Sequence, residues 1–230
     1  MRSPGASPRM TRALHLAAIG LALAAAARAH DAAPPAAIRW ELPAPGTYDL
    51  PPIAHVPDFS LLDERGAPAR LLDLGPDQVA IVSFVYTRCA DGKGCPAALA
   101  ILPRLDRAVA ADRELAGRVR IATVSFDPAH DSPARMAELR QALAPRGAWR
   151  FLTAASPEAI APVLSAFGQD ALPLVGADAH ELGLFRHVLK VFLVDASGAI
   201  RNIYSAGFLS PELLLVDART VLLDPRTPRT

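Results

Sequence analysis

The sequence predicts an α/β fold, with a mixed central sheet, helices on both faces and an added N-terminal hairpin. Three observations predict it. Continuous apolar runs at residues 80–86, 119–125 and 188–194 suit buried strands, and stretches of helical periodicity separate them. Three of those stretches open on the same pair, Ser132-Pro133, Ser156-Pro157 and Ser210-Pro211. Serine is a good N-cap and proline a good first helical residue, so each pair marks a helix start. Strands alternating with helices, closed by a hairpin and a last helix, call for a mixed sheet covered on both faces.

In chain order, residues 59–62 and 70–72 flank Asp63-Glu64-Arg65-Gly66 and read as a small hairpin. Residues 80–86 form a central strand. Cys89, a five-residue loop and Cys95 follow, and a helix starts near Pro96. Pro103 lies inside that helix and should kink or restart it, because it lacks the N–H that the helix needs there. Residues 119–125 are the second strand. After Pro133, Met136, Leu139 and Leu143 recur at helical spacing, and Trp149–Leu152 is a short strand whose tryptophan belongs in the core. After Pro157, Ile160, Val163, Leu164 and Phe167 follow the i, i+3, i+4, i+7 rule. A long loop leads to the third strand, 188–194. Asp195-Ala196-Ser197-Gly198 turns the chain, residues 200–204 return as its hairpin partner, and a helix follows Pro211. A thioredoxin-like core is the economical solution for this order.

The first 57 residues have a different character. Residues 1–29 carry four arginines and no acid. Arg9 and Arg12 precede an apolar run from 13 to 27, broken only by His15, and Ala27-Arg28-Ala29 offers small residues at a cleavage spacing. This is an export signal, cleaved or retained as a signal anchor. The run of about 15 residues is short for a span, which takes about 20. Residues 30–57 hold seven prolines and read as a linker, with Trp40, Tyr48 and Ile53 suggesting that its later part lies against the domain at 58–230. Without the signal, 20 basic residues face 23 acidic ones. No basic footprint for nucleic acid remains.

The 230 residues hold only two cysteines, which do not staple a domain of this size and are better suited to chemistry. Cys89 follows a buried strand and Cys95 precedes a helix, which places both at the carboxyl edge of the sheet, where open α/β folds bind ligands. The helix N-terminus favours a thiolate at Cys95, and Lys93 adds positive charge. Such a pair can form a disulfide, hold a soft metal such as Cu(I), or do neither.

Phe84-Val-Tyr-Thr-Arg-Cys89, ending at Gly94-Cys95-Pro96, resembles the cysteine motif of the Sco/SenC family. Val124-Ser-Phe-Asp-Pro128 with Asp131-Ser-Pro133 resembles that family's second signature. The proline-rich stretch from Leu42 to Pro52 resembles its lead-in, and His187 before Val191-Phe-Leu-Val-Asp195 resembles its ligand segment. The resemblance implies a thioredoxin fold with an inserted hairpin and one copper ion, Cu(I) or Cu(II), held by Cys89, Cys95 and His187. It implies a periplasmic or membrane-facing metallochaperone, thiol reductant or both. The partner would be the copper-receiving subunit of cytochrome c oxidase, or another copper chaperone, in assembly of the binuclear copper site. Two features depart from the family pattern. The spacer between the cysteines is five residues where three is usual, and Arg186 stands before His187 where an acid is expected. Arg186 disfavours a charged imidazole, which suits a metal ligand, but it also withdraws a candidate acceptor.

His180 is the fallback ligand, His55 and His130 are expected in solvent, and His30 could chelate copper only as a new amino terminus. Asp127 and Asp131 either tune the cysteines or contact a partner, or Asp131 and Ser132 simply cap the next helix. The rival function is a dedicated thiol-disulfide oxidoreductase without stable metal. A general disulfide exchanger is disfavoured by the five-residue spacer and by the lack of proline between Pro173 and Pro211. A peroxidase lacks its usual threonine and cysteine pattern despite Arg88, and a purely structural module leaves the cysteines unexplained.

Overall fold

The computed structural model describes residues 41–88, 95–174 and 184–226, with the side chains of 95–97 outside that description. Among the described residues, ten strands and four α-helices follow one another as β1 (Ala54–His55), β2 (Ser60–Leu62), β3 (Pro68–Arg70), β4 (Val79–Val85), α1 (Cys95–Ala111), β5 (Val119–Ser125), α2 (Pro133–Leu143), β6 (Trp149–Leu152), α3 (Pro157–Ala166), β7 (Ala171–Pro173), β8 (Phe185–His187), β9 (Lys190–Asp195), β10 (Ala199–Ser205) and α4 (Pro211–Leu223).

The central sheet has the order β1-β10-β9-β4-β5-β6. β4, β5 and β6 are parallel, whereas β9, β10 and β1 add in antiparallel fashion. Every residue of β4 is buried, as a central strand covered on both faces requires. Its alternate side chains feed two cores. Ala80, Val82 and Phe84 pack with Ile160 and Val163 of α3 and with its C-cap Phe167, and Val79 and Ile81 pack with Leu102 and Leu105 of α1 and Leu214 and Val221 of α4. The hairpin β2–β3 lies outside the central sheet and supplies Leu61 to the first of these cores. This is a mixed sheet with helices on both faces and an added hairpin, as the residue pattern predicts.

The three Ser-Pro pairs cap their helices. Ser132, Ser156 and Ser210 each accept from the backbone N–H three residues on. α1 does not restart at Pro103. It is one helix of 17 residues, held across the proline by Ala98, Leu102, Leu105 and Val109, all buried against the sheet. The third strand is shorter than its apolar run. Val188 is 63% exposed, and its carbonyl accepts from Gln169 Nε2 at 3.0 Å instead of entering the sheet, so β9 begins only at Lys190. The loop before it contains a ribbon, β7–β8, with Ala171 opposite His187 and Leu172 opposite Arg186.

Residues 42–57 lie along the domain. Ile53 N–H donates to the Ile200 carbonyl at 2.8 Å, and Val56 N–H donates to that of Gly198 at 2.9 Å. The Tyr48 hydroxyl donates to Asp217, a buried carboxylate that also accepts from Tyr204 and Asn202. Arg201 is buried between Asp195 and Asp224 and reaches the Leu50 carbonyl.

Candidate functional site

The carboxyl ends of β4 and β5 define one edge of the sheet. Val85 pairs with Ser125, so Tyr86 and Phe126 leave the sheet side by side, with ring centroids 5.0 Å apart. Val191 of β9 pairs with Ser83, so the antiparallel strand enters at this same edge. His187 stands three residues before Lys190. Its ring centroid lies 5.5 Å from that of Tyr86 and 5.2 Å from that of Phe126. Phe185, two residues away on the same face of β8, packs on the same two rings at 5.2 and 5.3 Å. The imidazole Nδ1 is 3.5 Å from the Phe185 carbonyl oxygen.

Strand alternation also settles where Arg186 goes. It belongs to the opposite face of the ribbon to His187 and is exposed, so solvent screens its charge.

The segment leading to Cys89 is clamped to the turn after β5. Asp131 is fully buried and accepts from Thr87 N–H at 3.0 Å, from the Thr87 hydroxyl, and from the Ser125 hydroxyl at 2.6 Å. Asp127, also buried, accepts from Arg88 Nη2 at 2.7 Å. The Arg88 guanidinium is thereby held in an ion pair. Ser132 alone caps α2. Asp131 instead turns back to Thr87, just past β4, and to Ser125 of β5, and that corrects the reading in which both residues serve as caps. His130, expected in solvent, is half-buried, and its Nε2 has no hydrogen-bond partner among the described residues. His55 is exposed.

α1 begins at Cys95, so the backbone of that residue sits at a helix N-terminus, where free N–H groups favour a thiolate. Cys89, Lys93 and the rest of the loop to Gly94, the side chain of Cys95, the fallback His180, and residues 1–29 with His30 lie outside the described residues. Among the described residues, no cluster of three metal-ligating side chains forms and no helix is long and apolar enough to cross a membrane.

The sequence reading missed the aromatic surroundings of His187. Their signal was present: Tyr86 and Phe126 each end an apolar run one residue past the strand, and Phe185 and His187 have strand spacing.

Residues 49–222 match the family model described as SCO1/SenC. The chain belongs to the SCO1/SenC family. Solved structures with this fold include apo Sco1 from Thermus thermophilus, 27% identical over 76% of this chain and 95% of that one, with a TM-score of 0.57. A SCO1/SenC family lipoprotein from Bacillus anthracis is 23% identical over 75% and 98%, with a TM-score of 0.62. Bradyrhizobium japonicum ScoI with copper bound is 22% identical over 74% and 97%, with a TM-score of 0.54. No curated protein matches the sequence. These structures share with this SCO1/SenC chain a central mixed sheet flanked by helices.

Proposed function

We propose that this protein is an exported copper-binding protein that assists assembly of the binuclear copper site of cytochrome c oxidase, with Cys89, Cys95 and His187 as the copper ligands. The observation that carries the reading is the position of His187, whose ring rests on Tyr86 at the edge where β4 runs toward Cys89. Two thiolates and an imidazole suit copper: sulfur holds Cu(I), and the added nitrogen accommodates Cu(II). Relatives of similar fold are described as ScoI with copper bound and as a member of the Sco family of cytochrome c oxidase assembly proteins with a disulfide switch. The relative described as a lipoprotein supports export and a membrane-facing location.

On this reading copper is cargo. The chain's own residues prepare its place: the start of α1 stabilises the Cys95 thiolate, Asp127 offsets the charge of Arg88, and Asp131 fixes Thr87. The same cysteines could reduce a disulfide of the client, giving two electrons and two protons and closing a Cys89–Cys95 disulfide, which is no longer a thiolate ligand.

The test is a titration of the reduced chain with Cu(I) against a competing chelator. Cys89→Ser and Cys95→Ser should each abolish most binding. His187→Ala should weaken Cu(II) more than Cu(I), because two sulfurs already satisfy Cu(I). Unchanged affinity in the double-cysteine variant would reject the copper reading and leave a dedicated thiol reductase. Fractionation that finds the protein in the cytoplasm would reject export.

A further inference from the structure

Four rings meet where β4, β5 and β8 end: Tyr86, Phe126, Phe185 and His187. Tyr86 and Phe126 each contact both rings of β8, with all the centroid distances between 5.0 and 5.5 Å. Tyr86 lies edge-on to the imidazole at 87°, and Phe126 is tilted to it at 53°. Two rings set at different angles restrict rotation of the imidazole about both of its side-chain torsions. Both holding residues are buried, at 2% and 3% exposure, and each directly continues a strand of the central sheet. The ribbon that bears His187, in contrast, is a separate two-stranded sheet.

We infer that Tyr86 and Phe126 are positioning residues for His187. The rigid sheet supplies, through these two rings, the orientation that the short ribbon cannot give its histidine alone. The inference rests on the copper reading above for its consequence and on the ring geometry for its substance. An imidazole held in place before metal arrives loses less freedom on binding, and groups that orient a metal-binding histidine contribute about 10–100-fold in affinity. Because Cu(I) is satisfied by the two sulfurs, the gain falls on Cu(II).

The experiment compares the parent full-length chain with Phe126→Leu, Tyr86→Leu and the ring-retaining Tyr86→Phe. In the reduced, metal-free protein, the His187 ring protons should show ring-current shifts in the NMR spectrum, and each leucine variant should diminish them. Cu(II) affinity should fall about 10-fold in the leucine variants, at the low end of such effects. Cu(I) affinity should change less than about twofold, and Tyr86→Phe should restore the parent values. In a His187→Ala background, Phe126→Leu should produce no further loss. A merely structural role would weaken both oxidation states together, or would weaken Cu(II) equally with His187 absent, and either result overturns the inference. If Phe126→Leu unfolds the chain, Tyr86→Leu against Tyr86→Phe decides by the same measurements. A parent that binds no copper would reject the copper reading, and the metal-free ring shifts would still uphold or overturn the positioning of His187.

Discussion

Asp131→Asn would keep the volume of a buried side chain and remove the charge from an acceptor of three hydrogen bonds, two from Thr87 and one from Ser125. Hydrogen bonds to a charged group contribute about 1.5–3 kcal/mol, and the amide would also bring a donor toward groups that donate. The expected cost is about 2–3 kcal/mol of unfolding free energy, read from denaturant midpoints at unchanged slope. Thr87→Val should lose part of this and no more. Asp131 shows where a sequence reading reaches its limit. A turn with Asp131 before Ser132-Pro133 displays a cap motif, and the motif was legible. That the carboxylate turns back to a residue 44 positions earlier depends on the β4–β5 register, which local spacing does not encode.

The glycine of the β9–β10 turn governs a neighbouring element. Gly198 has φ +83°, and a Cβ there would sit 2.5 Å from the Val56 carbonyl oxygen. Its own carbonyl accepts from Val56 N–H. Gly198→Ala would therefore meet both an unfavourable backbone conformation and a collision with the Val56 carbonyl, directly after β1. A loss of about 2 kcal/mol is expected, at the scale of a strained backbone position. Faster amide exchange at Val56 and Ile53 than in the parent would show that the first strand has frayed. Elements with strong local signals were the legible ones. The capped helices, β5 and β6 follow directly from N-caps and apolar runs. The ribbon β7–β8 was not legible, because Ala171-Leu172-Pro173 has neither alternation nor strand propensity and pairs only through contacts made by the folded chain. The extent of β9 was misjudged for a related reason: periodicity sees Val188 as apolar and cannot see Gln169 taking its carbonyl.

The whole molecule is fastened where its lead-in, its last hairpin and its last helix meet. Arg201 bridges Asp195 and Asp224 and holds the Leu50 carbonyl. Arg226 and, after it, Arg201 hold the Asp224 carboxyl well below the usual carboxylate range. A depressed carboxyl stabilises the fold above the unfolded value, near pH 4, and that stability is lost as pH falls toward the folded value. The parent should therefore lose stability below about pH 4, and the gap between parent and Asp224→Asn, clear at pH 7, should narrow as pH falls to 3. Denaturant midpoints at the two pH values measure it. At this scale the architecture was legible from the order of elements alone. The position of His187 at the carboxyl edge was legible from the resemblance, and its ring contacts were not.

The candidate ligands belong to parts of the protein with unequal hold on the core. The backbone of Cys95 opens a 17-residue helix packed into the central core, whereas His187 lies on a ribbon of three residue pairs that forms its own sheet. Small units of this kind open locally at lower free energy than the core strands. Hydrogen exchange should find the amides of Leu172 and Arg186, a hydrogen-bonded pair of the ribbon, opening well before those of Ile81 and Val82, with exchange at the ribbon insensitive to mutations that lower global stability. Copper held by all three ligands would then leave in a set order. On the proposed ligand set the imidazole would detach first, with its ribbon, and a client offering a nitrogen or sulfur ligand would meet a vacant position on the metal while the core strands stay closed.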